Sequence, residues 1–73
     1  MEDLEPKVLN YLSQFKNVYT KTMYKALSVK STYKLSLNKF RNFMYDLEKN
    51  GKVSREEFNS LSAWFKAEEL EEI

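Results

Sequence analysis

The chain has one glycine, Gly51, and its hydrophobic period changes there. Before it, Leu37, Phe40, Met44 and Leu47 recur at i, i+3, i+7 and i+10, one face of a helix, and Phe43 widens that face. After it, Val53, Phe58, Leu61, Trp64 and Phe65 fit no single helical stripe. Asn50 and Gly51 both tolerate the left-handed conformation that ends helices, so the helix is expected to stop there. Ser36 stands where a cap would start it. Beyond Gly51, Asn59-Ser60 marks another turn, and a β-hairpin fits, with arms near 52–57 and 62–66. The segment Arg55-Glu56-Glu57-Phe58 would also accept a helix.

Upstream, Pro6 suits a first helical position, where its missing N–H costs nothing. Leu4, Val8, Leu12 and Phe15 then line one face, flanked by Leu9 and Tyr11, which predicts a helix from near Glu5 to near Lys16. Asn17-Val18-Tyr19 is long enough only for a connector or a minimal strand. Thr20 is the next cap candidate. Met23, Ala26 and Leu27 make a second stripe, for a helix from Lys21 to about Val29. Residues 30–35 lack helical period and read as a polar, basic turn. Residues 67–73 are acidic, with Leu70 and Ile73 as their only large apolar side chains, and read as a short helix or a frayed tail.

Seventy-three residues make one domain at most, here 1–66 followed by that tail. A chain this short buries only about 60% of its unfolded surface. It has no cysteine and no histidine. That removes disulfides, thiolate metal sites, the usual general base and the commonest zinc ligand. Glu56-Glu57 and Glu68-Glu69 are adjacent pairs, and sequence neighbours do not face one another across a site. Neither enzymic chemistry nor a metal, cofactor or small-molecule ligand is expected. No apolar run approaches the ~20 residues of a membrane helix. The acidic start leads straight into a helical pattern, unlike a signal peptide, so an intracellular, cytoplasmic protein is expected.

The net charge is only +1, but the charge is sorted by position. Residues 16–55 hold ten of the twelve basic side chains and only Asp46 and Glu48 as acids, a local charge of +8. Residues 1–15 carry −2 and residues 56–73 carry −5. A basic middle between acidic ends is what a surface that meets a polyanion looks like in sequence.

The order helix, short connector, helix, turn, helix, glycine, hairpin resembles the winged helix-turn-helix plan from Pro6 to Lys66. The passage from Ser36 to Val53, with Leu47-Glu48-Lys49-Asn50-Gly51-Lys52-Val53 at its end, is similar to the stretch in which recognition helices of small archaeal and bacterial regulators run into their wing. The small size and the lysine, tyrosine and asparagine content are similar to regulators of crenarchaeal viruses and plasmids. The resemblance implies an α+β fold of three helices followed by a two-stranded hairpin wing. It implies a transcription regulator that binds double-stranded DNA with the helix at about 36–50 in a major groove. One departure is the segment 30–35, longer than the ~3–4 residues of a tight helix-turn-helix turn.

On that reading the exposed face of the third helix supplies the base contacts: Asn38, Lys39, Arg41, Asn42 and Tyr45. Asparagine pairs with adenine, and arginine or lysine with guanine, in a major groove. Lys21, Lys25, Lys30, Tyr33, Lys34, Ser36 and Lys49 are candidates for the phosphate backbone. Lys52, Arg55 and Lys66 are candidates in the wing, where Glu56 and Glu57 oppose them. Asp46 would repel phosphate and is expected to pair with Lys49 at i, i+3. Trp64 reads as a packing residue or a dimer contact rather than a base-stacking platform. One such domain offers a small interface, roughly 600–1,000 Å², so a homodimer would sharpen specificity, with the first helix or the tail as contact. The alternative is a winged-helix module that binds protein, its basic patch docking an acidic partner.

Overall fold

Ser36 and Gly51 bracket the longest helix of the chain. The computed structural model describes residues 3–66; the tail at 67–73 lies outside the described residues. The helices are α1 (Leu4–Gln14), α2 (Thr20–Ala26), α3 (Val29–Thr32) and α4 (Leu37–Lys49). The strands are β1 (Val18–Tyr19), β2 (Val53–Phe58) and β3 (Leu61–Lys66). Ser36 Oγ accepts from the Lys39 N–H at 3.2 Å, the expected cap. At the other end Gly51 has φ +77°, its N–H donates to Glu48 O at 3.0 Å, and the Lys52 N–H donates to Leu47 O at 2.9 Å. That pair of bonds satisfies the last carbonyls of α4 and turns the chain into β2. Phe40, Met44 and Leu47 point inward and are buried.

α1 packs through Leu4, Val8 and Leu12. It ends two residues earlier than its stripe suggested. Phe15 is extended (φ −127°, ψ 129°), half-exposed at 49%, and lies against Tyr11 at 4.8 Å rather than in the core. Asn17 then takes a left-handed φ of +56° and aims the chain into β1.

α2 corrects a second expectation. Thr20 is not its cap but its first residue, and it is 5% exposed. Its hydroxyl accepts from Trp64 Nε1 at 2.6 Å and lies 3.5 Å from Ser62 O, to which it donates. A buried indole N–H needs such a partner. α2 stops at Ala26 because Ser28 is left-handed (φ 51°, ψ 42°). The chain restarts at once as α3, which buries Val29. The segment expected as a plain turn therefore opens with a helical turn, and only 33–36 is loop.

β2 and β3 form the expected hairpin. Asn59 and Ser60 at its tip have φ +50° and +72°, the two positive values that a tight two-residue turn compatible with strand twist requires. β1 adds to the other edge of β3, through Val18↔Trp64 and Tyr19↔Ala63. The sheet is antiparallel with order β1-β3-β2. Among the described residues four helices and three strands thus replace the expected three and two: α3 opens the segment expected as a turn, and the two-residue β1 is defined by a partner over forty residues away. This α+β architecture is compatible with a winged helix. The free edge, β2, carries the charged run Arg55-Glu56-Glu57, which discourages further strand pairing.

Candidate nucleic-acid interface

Three helices meet around the basic side chains. α2 presents Lys21 and Lys25 on its exposed side, because Thr20 and Met23 are drawn inward. α3 presents Lys30, because Val29 is drawn inward. With Tyr24, Ser28, Ser31 and Leu37, these three lysines line a shallow cleft of about 390 Å³ between α2, α3 and the start of α4. A second, more polar cleft of about 330 Å³ adjoins it through Lys21. There Arg41 and Tyr45 of α4 face Glu57, Ser60 and Ser62 of the hairpin. Lys21 thus joins the α2–α3 cleft to the exposed side of α4.

On α4, Asn38, Lys39 and Asn42 are exposed. Asn38 Oδ1 accepts from Arg41 Nη1 at 3.3 Å. Tyr45 is 37% exposed, but one ring face is taken: it lies 5.8 Å from the Trp64 ring, and the Arg55 guanidinium sits 5.2 Å from its centroid. Lys34 and Lys49 are exposed. Among the described residues, none of Lys21, Lys25, Lys30, Lys34, Lys39, Arg41 and Lys49 has a carboxylate within salt-bridge distance. Asp46 is exposed and makes no pair with Lys49.

Two backbone candidates are turned elsewhere. The Ser36 hydroxyl oxygen is used as the α4 cap. The Tyr33 hydroxyl is buried without a hydrogen-bond partner among the described residues, so it faces no ligand in solvent. Tyr24 donates its hydroxyl to Leu35 O at 2.6 Å and packs on Phe40.

The hairpin candidates divide differently. Lys52 Nζ donates to Glu5 Oε2 at 2.5 Å and ties β2 to α1. Arg55 Nε donates to Glu48 Oε1 at 3.0 Å, its Nη1 donates to the Glu57 carboxylate, and its guanidinium also sits near Trp64. The hydrogen bond to Glu48 is the main cause of a raised Arg55 pKa; partial desolvation opposes it, and the charges of Glu48 and Glu57 add to it. Entry of Arg55 into a minor groove would break this cluster, and a phosphate contact by Lys52 would break its pair with Glu5. Lys66 alone of the three has no such pair among the described residues. Sequence reasoning missed Glu5, Glu48 and Glu57 as partners. The Arg55/Glu57 pair carried a weak signal, same-face spacing on a strand; Glu5 and Lys52 carried none.

Among the described residues no group of three acidic, histidine or cysteine side chains is placed to hold a metal ion. None of the helices described is long and apolar enough to cross a membrane. Comparison with protein-family models, curated proteins and solved structures gives no match.

Proposed function

We propose that this chain is a winged helix-turn-helix module that binds double-stranded DNA and regulates transcription, with α4 as its recognition helix. One observation carries the reading: Lys21, Lys25 and Lys30 converge on one cleft, without carboxylate partners among the described residues, beside the exposed side of α4. Cations left unpaired by the fold are the ones available to release counterions from phosphate. In this reading α2 and α3 grip the backbone, while Asn38, Lys39, Arg41 and Asn42 reach base edges. The small size and composition fit a regulator of an archaeal virus or plasmid. The alternative is a module that docks an acidic protein face with the same lysines.

The test begins with fluorescence anisotropy on a labelled random duplex, followed by selection of a preferred site. Asn42→Ala is expected to weaken that site by about 1–3 kcal/mol while leaving random duplex unchanged. No binding to any duplex at low salt would favour the protein-docking alternative.

A further inference from the structure

We infer that the tip of the hairpin is an apolar wedge that enters a groove of the duplex and bends it, with Leu61 as its point and Phe58 beside it. The inference rests on the DNA-binding reading and deepens it, by naming how the hairpin contacts the nucleic acid. Two of the hairpin's cations are committed elsewhere: Lys52 is tied to Glu5, and Arg55 to Glu48 and Glu57. The third, Lys66, stands at the other end of β3 from Leu61. What remains at the tip is apolar. Phe58 and Leu61 flank the turn at Asn59 and Ser60 and pair across it. Directly paired strand residues share a face of the sheet, so the two side chains stand together. They are 42% and 52% exposed, and Leu61 is the most exposed of the large hydrophobic side chains described. The two left-handed residues of the turn hold the pair in one register.

The place of the tip in the fold says what it meets. Ser60 and Leu61 line the same cleft as Lys21 of α2 and Arg41 and Tyr45 of α4. Lys21 and Arg41 have no carboxylate partner among the described residues. Glu57, the acid of that cleft, is held by Arg55. An exposed leucine beside unpaired cations suits a partner with an anionic outside and an apolar inside. Stacked base pairs between two phosphate rows are such a partner. The cations neutralise the rows, and an apolar side chain that parts a base step kinks the duplex. A duplex laid against α4 reaches the tip, because one cleft joins them. Glu56 lies on the same strand face as Phe58, one pleat back, and makes no salt bridge among the described residues. Its charge opposes phosphate and limits entry to the tip.

Resonance energy transfer between dyes at the two ends of a duplex carrying the selected site tests this, with binding followed by anisotropy on the same duplex. Wild type is expected to raise the transfer as it binds, the sign of a bend. Phe58→Ser/Leu61→Ser is expected to bind with the wild-type salt slope, since it removes no cation, but to lose most of the rise in transfer. Leu61→Met keeps an apolar point and should keep the rise. Both positions are exposed, so the variants are expected to fold, which circular dichroism checks. Wild type that binds without a rise in transfer would overturn the inference and leave the DNA-binding reading standing. So would a double variant that bends the duplex as wild type does; a dimer lost in that variant by sedimentation equilibrium would then assign the pair to a second copy. No binding of wild type to any duplex at low salt would overturn the inference and the reading together.

Discussion

The helical half and the hairpin both carry lysine and arginine, and, Lys66 apart, they treat those charges in opposite ways. In α2, α3 and α4 the cations stand without carboxylate partners among the described residues. In the hairpin, Lys52 holds Glu5, and Arg55 holds Glu48 and Glu57. The first group can be given to a polyanion without breaking an internal ion pair. The second group joins β2 to α1 and α4. Residue type alone therefore does not separate the two groups; partnership within the fold does.

The largest expected effect comes from removing the free set. Lys21→Ala/Lys25→Ala/Lys30→Ala should lower the slope of log affinity against log salt by about three, close to one per lost phosphate contact. Thermal stability should change little, since exposed lysines contribute little to the fold. The junction between the halves comes next. Thr20→Val strands the buried Trp64 Nε1–H, which should cost about 1–3 kcal/mol. In a domain this size that is a fall in Tm of about 4–8 °C per kcal/mol, read by calorimetry.

Arg55→Ala sharpens the contrast from the other side. It should cost less than about 1 kcal/mol of stability, because the side chain is partly solvated. It also leaves Glu57 free in the cleft it shares with Lys21 and Arg41. DNA affinity should then fall a few-fold at low salt and recover relative to wild type as salt screens the carboxylate. The smallest effect belongs to Lys52→Ala, whose side chain is 46% exposed in its pair with Glu5. Both stability and DNA affinity should stay within about 0.5 kcal/mol of wild type.

The parts legible in the sequence are those whose causes are local. The α4 stripe, the Ser36 cap and the Gly51 stop each rest on residues within a few positions, and they stand as expected. The hairpin turn at Asn59-Ser60 is of the same kind. Thr20 misled because a threonine before a helical stripe has two uses, and a tryptophan over forty residues away decides between them. Phe15 misled because a period does not say where it stops; the left-handed turn at Asn17 does. β1 was visible only as a possibility, since its strand character comes from β3. The basic segment was legible as a sum of charges. Its division into free and tied cations was not, because each tie spans separate elements or the sheet pleat.

The most direct measurement is the salt dependence of duplex binding by three proteins: wild type, the Lys21→Ala/Lys25→Ala/Lys30→Ala variant and Lys52→Ala. The expected result is a steep negative slope for wild type, a slope shallower by about three for the triple variant, and a wild-type slope for Lys52→Ala. Equal slopes for all three proteins, or a loss confined to Lys52→Ala, would contradict the assignment of the α2–α3–α4 surface as the nucleic-acid interface.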